Sequence, residues 1–364
     1  MELGKHFSSI EDFRVQGRCL HKLGDILGLV LCGTLCDCDD FSEIADYGHD
    51  NFNMLREELG FEFANGIPSE DTLERVIRHL DSGQLAACFQ SSLEDISLQG
   101  RHISLDGKEL RGTVPAGKKH ALVQMVNVWV DELSVSFGQL QVKEKSNEIT
   151  AIPQLLDTVD CRGSVVSIDA IGCQKEIAGK IIGKQADYVI ALKANQGCLY
   201  EQVAAFMQRC KETLPLFHSL DKGHGRGEQR RVYVAQDIAL VDEADNWPGL
   251  RSLLLVERER ITAQGKVQRQ QQYYVSSLAQ ASPEACSAYV RGHWGIENGL
   301  HWQLDFTFAE DACRVRRDSG PANLHLIRKW ALYLLKKDPE KISIKRKRKK
   351  ASRSSLYLVQ IFNL

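Results

Sequence analysis

The chain of 364 residues is marked first by what it does not contain. It has no long hydrophobic run: the longest uncharged apolar stretch, residues 26–36, is about half of the roughly 20 residues that a membrane helix needs. Residues 1–9 show no basic segment leading into an apolar one, so no export signal is read. The eleven cysteines are scattered and odd in number, which in a chain without a leader reads as reduced thiols and a cytoplasmic location. Cys32, Cys36 and Cys38 cluster, but no second pair follows at zinc-site spacing. No repeat of 20–50 residues is present, which excludes a solenoid. Aromatics are few, at 7%, which disfavours a two-carboxylate glycosidase. An excess of positive charge is also missing. The net charge of −2 argues, at face value, against a nucleic-acid partner.

The distribution of charge reverses that impression. Residues 1–100 carry 7 basic and 19 acidic side chains, and residues 341–364 carry 8 basic and none acidic. Such asymmetry points to a nucleic-acid or membrane partner. The densest block is Lys345, Arg346, Lys347, Arg348, Lys349 and Lys350. It is expected to be a solvated tail that tethers DNA without sequence preference and carries the salt dependence of binding.

Hydrophobic periodicity divides the chain. Residues 1–100 show apolar positions at three- and four-residue spacing and read as an acidic, all-helical unit, with Ser69 as a helix N-cap. Residues 101–199 change period. Strands are predicted at 102–106, 121–130, 133–142, 164–169 and 188–192, with helices at 148–156 and 174–183. That order implies an α/β fold with a mixed sheet and helices on its faces. Residues 200–280 read as an inserted, mostly β subdomain. Residues 281–337 return to helix, at 283–304 and 321–335, and residues 338–364 form the basic tail.

Two strand ends look alike: Ser104-Leu105-Asp106-Gly107 and Ser167-Ile168-Asp169-Ala170. Carboxylates at the C-terminal ends of neighbouring sheet strands converge, and two such groups resist joint ionisation. A hard divalent cation removes that conflict. The plainer alternative is that each aspartate caps the turn after it. A third carboxylate, Glu297, lies in His293-Trp294-Gly295-Ile296-Glu297-Asn298. At four-residue spacing His293, Glu297, His301 and Asp305 make one polar stripe, and Trp294 and Trp302 are expected to bury Glu297 partly. Three carboxylates from two strands and a helix can hold two metals, which suits in-line displacement at a phosphodiester.

These strings resemble those of the DDE transposases with a ribonuclease-H-like core, and more narrowly the ISAs-one type that includes the H-repeat-associated proteins. The matching segments are Leu105 to Arg111, Glu144 to Ile149, Asp169 to Lys175, Lys193 to Gln196, His224 to Glu228 and His293 to Asn298. The resemblance implies a ribonuclease-H-like core with an inserted β-rich subdomain, preceded by an all-α domain. It implies that Asp106, Asp169 and Glu297 form the triad and bind two Mg²⁺ (or Mn²⁺) ions, Asp106 bridging both. It further implies hydrolysis at the ends of an insertion sequence, attack of the freed 3′-hydroxyl on target DNA, and a homodimer on double-stranded DNA. A nuclease that cuts without joining, and an inactive repeat-associated DNA-binding protein, are the alternatives. The related pattern Tyr-x2-Arg-x3-Glu-x6-Lys is changed here, with Val290, His293 and Leu304 at the Tyr, Arg and Lys positions.

The expected phosphate contacts are Lys108 and Arg111 after the first aspartate, Lys193 at the end of a strand, and His224, Arg226, Arg230 and Arg231 in a basic loop. Arg291 and His293 near the last carboxylate and the six tail residues complete the set. Glu148 is expected at a helix N-terminus, where the helix dipole favours it.

Overall fold

The computed structural model describes residues 6–93, 96–114, 123–142, 148–223, 226–261 and 266–363. The side chains of residues 222, 223 and 226 lie outside the description.

The head is helical, as its periodicity predicts. It comprises α1 (Leu23–Leu35), α2 (Phe41–Asp50), α3 (Phe52–Glu57), α4 (Glu70–His79) and α5 (Ser82–Ser91). α1 is apolar around its whole circumference and is buried along nearly all its length, as a central helix must be. Aspartates cap its neighbours. Asp40 accepts from the Glu43 amide at 2.9 Å, and Asp81 accepts from the Gln84 amide at 2.8 Å. Ser69 does precede α4, but its hydroxyl meets the Thr72 hydroxyl at 3.1 Å instead of a backbone amide.

The body is built on one nine-stranded sheet of order β3-β2-β1-β4-β5-β9-β8-β7-β6. β1 (His102–Glu109), β2 (Gln124–Val130) and β3 (Val135–Val142) form an antiparallel meander. β4 (Val165–Ile168) and β5 (Asp187–Leu192) add in parallel beside β1. The crossovers run through α6 (Glu148–Asp157) and α7 (Lys175–Gly183). After α8 (Gly197–Cys210) come β6 (Leu216–Gly223), β7 (Arg226–Ala235), β8 (Ser252–Ile261) and β9 (Val267–Ser276).

The insertion therefore extends the central sheet. β9 pairs antiparallel with β5 from Val189↔Ser276 to Leu192↔Tyr273. This covers what would otherwise be an open edge of a buried parallel strand. The half of β9 beside β5 is buried and its first half is exposed, so β9 leaves the core as it goes outward. β1 also differs from its reading. It continues to Glu109, which puts Asp106 inside the strand rather than at its end.

α9 (Pro283–His293) leads back to the sheet, and α10 (Gly320–Lys337) joins body to head. α10 is buried over most of its length. Its Trp330 ring lies 5.3 Å from both Phe7 and Phe89, and the Asn323 amide donates to the Ile77 and Leu80 carbonyls at the end of α4. One apolar core runs continuously from head to sheet. Among the described residues no helix is long and apolar enough to cross a membrane.

The basic tail is folded. It forms α11 (Ile344–Ala351) and α12 (Ser355–Phe362). Two of its expected DNA contacts, Lys347 and Arg348, are interior residues. Lys347 Nζ donates to the Leu335 and Asp338 carbonyls and pairs with the Asp338 carboxylate at 3.2 Å. The Arg348 guanidinium donates to the carbonyls of Thr34, Cys38 and Thr307 and pairs with Asp37 and Asp39 at 3.1 and 3.2 Å. A fork of five donors suits such a set of acceptors, and burial forbids leaving any of them empty. Acidic head and basic tail thus neutralise each other at a contact. Lys345, Arg346, Lys349 and Lys350 remain exposed, with Lys350 2.6 Å from Glu340.

Replacing Arg348 by Met leaves three carbonyls without their donor and two partly exposed carboxylates without their partner, and is expected to cost about 2–3 kcal/mol. Arg346→Ala on the exposed face is expected to stay within about 0.5 kcal/mol. Urea unfolding midpoints of the two variants check this. Equal midpoints would show that the tail is a surface attachment.

Candidate active site

The parallel pairing of β1 with β4 determines the site. Its register sets Ser104 beside Ser167 and Leu105 beside Ile168. One step beyond the last pair come Asp106, still within β1, and Asp169, just past the end of β4. The two Ser-x-Asp strings are therefore one structural feature seen twice. Alternation along β1 sends His102, Ser104, Asp106 and Lys108 to the same face of the sheet, the face against which α9 packs.

A polar seam fastens α9 there. Ser167 Oγ lies 2.8 Å from His102 Nε2, 3.0 Å from His293 Nδ1 and 3.2 Å from Ser104 Oγ. Burial, with His293 adding to it, pushes the His102 imidazole down to about 4, so it takes part as a neutral ring. Beyond His293 the chain continues helically but widens into two π turns, Glu297–His301 and Gln303–Thr307. π segments recur at functional sites. Glycines make the close approach possible. A methyl on Gly295 would sit 2.0 Å from the Asp131 carboxylate, and one on Gly299 would sit 2.5 Å from the Trp129 indole.

The result is a cleft of about 210 Å³ lined by Asp106, Asp169, Lys193, His293, Trp294 and Glu297 among others. Burial, reinforced by Glu297, Asp169 and Glu148, pushes the Asp106 carboxyl up to about 8. Glu297 is half exposed, and its hydrogen bond with His301 holds it below the usual carboxylate range. One donor atom each from Asp106, Glu297 and His301 lie within 4.8 Å of one another. Crowded carboxylates that oppose each other's ionisation, with a nitrogen donor alongside, match what a divalent cation needs.

The capping role expected for Asp169 is observed. Its Oδ1 accepts from the Ile171 and Gly172 amides at 3.1 and 3.4 Å, so it does cap the turn after it while lining the cleft. That turn is pinned from the following loop. Asn195 Nδ2 donates to the Ala170 carbonyl, and Gln196 Nε2 donates to the Cys173 carbonyl. The strings around Asp169 and around Lys193 are two halves of one contact, with Cys173 fully buried between them.

The other candidates separate. Lys193 is exposed on the rim. Lys108 is not available to phosphate. It is buried, 2.6 Å from Asp305 and 3.8 Å from Glu310, because it shares the Asp106 face and lies beneath the second π turn. Arg111 is exposed, 3.6 Å from Asp311. His224 and the side chain of Arg226 lie outside the described residues. Arg230 joins Arg258 and Arg260 around Glu228, at 2.7, 3.0 and 3.0 Å, and Arg231 stands 4.0 Å from Glu257. Arg291 pairs with Asp221 at 3.1 Å, and His293 belongs to the seam. Trp294 and Trp302 are each about half exposed, as is the Glu297 side chain.

Several residues of the site escape a reading of the sequence for carboxylates alone. Ser104, Ser167 and His102 build the seam. Glu148 opens α6, as expected, but its carboxylate also lies so close to Gly107 that a Cβ there would meet it at 2.0 Å. His301 stands 3.5 Å from both Asp106 and Glu297. Its signal was the four-residue stripe.

The chain has clear relatives. A family described as Transposase DDE domain matches residues 97–334, and one described as DDE_Tnp_1-associated matches residues 4–92. "Putative transposase YncI" of Escherichia coli O157:H7 is 36% identical, over 98% of this chain and 93% of that protein. "H repeat-associated putative transposase YhhI" of Escherichia coli strain K12 is 33% identical, over 99% and 98%. "Inactive transposase YbfQ" of the same strain is 38% identical over 21% of this chain. Among solved structures, a synaptic complex of the piggyBac transposase with hairpin DNA aligns at a TM-score of 0.46 and 12% identity, covering 100% of this chain and 81% of that one.

Beneath the second π turn a buried cluster supports the site. Glu310 meets His325 Nδ1 at 3.0 Å and Arg328 at 3.6 Å, while His325 Nε2 meets Asn127 Oδ1 at 3.1 Å. Burial works to raise the Glu310 carboxyl, but His325, Arg328 and Lys108 outweigh it and hold it down to about 2. A carboxyl depressed on folding stabilises above its unfolded value, and that contribution is lost as pH falls from about 4.5 towards 2. Glu310→Gln is expected to be less stable at pH 7 and to show a flatter stability profile across that window. Urea midpoints measured from pH 2 to 7 check it.

Proposed function

The chain belongs to the DDE transposases, of the H-repeat-associated type, and from that premise we propose that Asp106, Asp169 and Glu297 hold two divalent cations, Mg²⁺ or Mn²⁺, and catalyse both cleavage at insertion-sequence ends and strand transfer into target DNA. The observation that supports the proposal is the single cleft lined by Asp106, Asp169 and Glu297, with the pairing of β1 and β4 leading the two aspartates to it.

Bound there, the cations would clamp the attacking and leaving oxygens of an in-line displacement. The protein's own groups do the rest. Asp106, the most crowded carboxylate, would hold the cations together with Asp169 and Glu297. The Ser167 seam and the capped turn after Asp169 hold these carboxylates before substrate arrives, so little reorganisation is left for the reaction. Lys193 on the rim neutralises the scissile phosphate. A narrow groove continues from the cleft past Trp294, Arg230 and Arg258, and Arg258 stands 6.0 Å above the Trp294 ring. Three arginines around the single carboxylate of Glu228 leave this stretch positive, and it offers a path for the DNA backbone. In this reading the protein works as a homodimer on double-stranded DNA, in the cytoplasm and on the nucleoid.

A supercoiled plasmid bearing matched element ends tests the proposal. Asp106→Ala, Asp169→Ala and Glu297→Ala are each expected to lower strand cleavage by at least about 10³-fold, or about 4 kcal/mol of barrier. DNA binding in a mobility-shift assay is expected to persist. Unchanged cleavage in all three would remove the triad. Cleavage by the native chain with no joined product would assign a nuclease.

A further inference from the structure

We propose that His301 is a nitrogen ligand to the cation held between Asp106 and Glu297, and that it biases this position towards Mn²⁺ over Mg²⁺. The inference rests on the triad reading above and adds a donor to it.

Geometry supplies the first argument. His301 Nδ1 lies 3.5 Å from Asp106 Oδ2 and 3.5 Å from Glu297 Oε2. Two donors on bonds of about 2.1 Å to one ion stand about 3 Å apart when adjacent and about 4.2 Å apart when opposite. Both separations fall between those limits, and the third pair, Asp106 with Glu297, lies within 4.8 Å, so a small closing shift would seat a cation among the three atoms.

Burial supplies the second. His301 is only 5% exposed, so packing holds its ring in place with Nδ1 directed at two carboxylates that themselves call for a cation.

Local structure supplies the third. Glu297 and His301 are the first and last residues of one π turn, and Gly299 between them lies against Trp129. The Lys336 ammonium donates to the Gly299 carbonyl at 2.9 Å and so fixes the widened turn from behind. The turn is pinned at its middle and presents both ends to Asp106.

The metal preference follows from donor chemistry. Mg²⁺ demands oxygen ligands and near-ideal octahedral geometry. An imidazole in the set is tolerated better by a first-row transition dication such as Mn²⁺. If His301 served only to orient Glu297, its loss would weaken both ions alike.

The test uses the full chain without DNA. Pulsed electron paramagnetic resonance of bound Mn²⁺ is expected to show coupling to an imidazole ¹⁴N, and His301→Asn is expected to abolish it. Calorimetric titration is expected to show Mn²⁺ affinity falling about tenfold in His301→Asn, with Mg²⁺ affinity changed less than about twofold. Melting temperature in a chelator confirms that the variant is folded. Absence of nitrogen coupling in the native chain overturns the proposal without needing any variant, and so does a parallel loss for both ions. Asp106→Ala separates the two levels of the argument. If it binds Mn²⁺ as tightly as the native chain, the triad reading fails. If it loses Mn²⁺ while the native chain shows no nitrogen coupling, only the role of His301 fails.

Discussion

The hydroxyl of Ser167 is the point on which the site hangs. It joins β1 through Ser104 and His102, and it joins α9 through His293. Sheet register alone would bring Asp106 and Asp169 together, since parallel strands align matched positions. Register could not bring Glu297, which lies 128 residues further along the chain than Asp169 and beyond five more strands. The seam does that by fastening the preceding helix to the same face. The small residues at Gly292, Gly295 and Gly299 then let the helix and the π turn lie against His102, Asp131 and Trp129. Every group in the seam is neutral, so it costs no charge desolvation and leaves that expense to the carboxylates above it.

Charge is handled in three ways along the molecule. At the site, burial and then the neighbouring carboxylates push Asp106 out of its ordinary range. Beneath it, Lys108, Glu310, His325 and Arg328 neutralise one another in the interior. At the far end, Arg348 and Lys347 are drawn into the contact between tail and head, where Asp37, Asp39 and Asp338 meet them. The near-zero net charge is the sum of these arrangements. It says little about whether the surface binds DNA, because many of the basic residues that a count assigns to DNA are used internally.

Much of the fold was legible. The helical head, the order of strands and helices through residue 192, and the two aspartates followed from periodicity and from the repeated Ser-x-Asp string. The family strings around Asp169 and Lys193 proved to be contact partners, through Asn195 and Gln196. The illegible parts share one cause. The insertion read as β-rich but without a place in the sheet, because strand patterns carry no mark of which edge they will join, and β9 chose β5. Lys108 read as a phosphate contact because the residue that neutralises it, Asp305, is nearly two hundred positions away. The tail read as a tether because a run of lysine and arginine looks the same whether or not a helix turns two of them inward.

The sequence by itself determined which chemical groups were present and how they were spaced: two aspartates each two residues after a serine, a glutamate four residues before a histidine, a basic block at the end. Spacing along a chain settles alternation on a strand and facing on a helix, since both depend on neighbouring bonds. Only the tertiary structure decided which of those groups meet. It set Asp106 and Asp169 in one cleft, turned His301 towards Asp106 and Glu297, and buried Lys108, Lys347 and Arg348 while leaving Lys193 on the rim. Such pairings depend on register, packing and exclusion of water between distant segments.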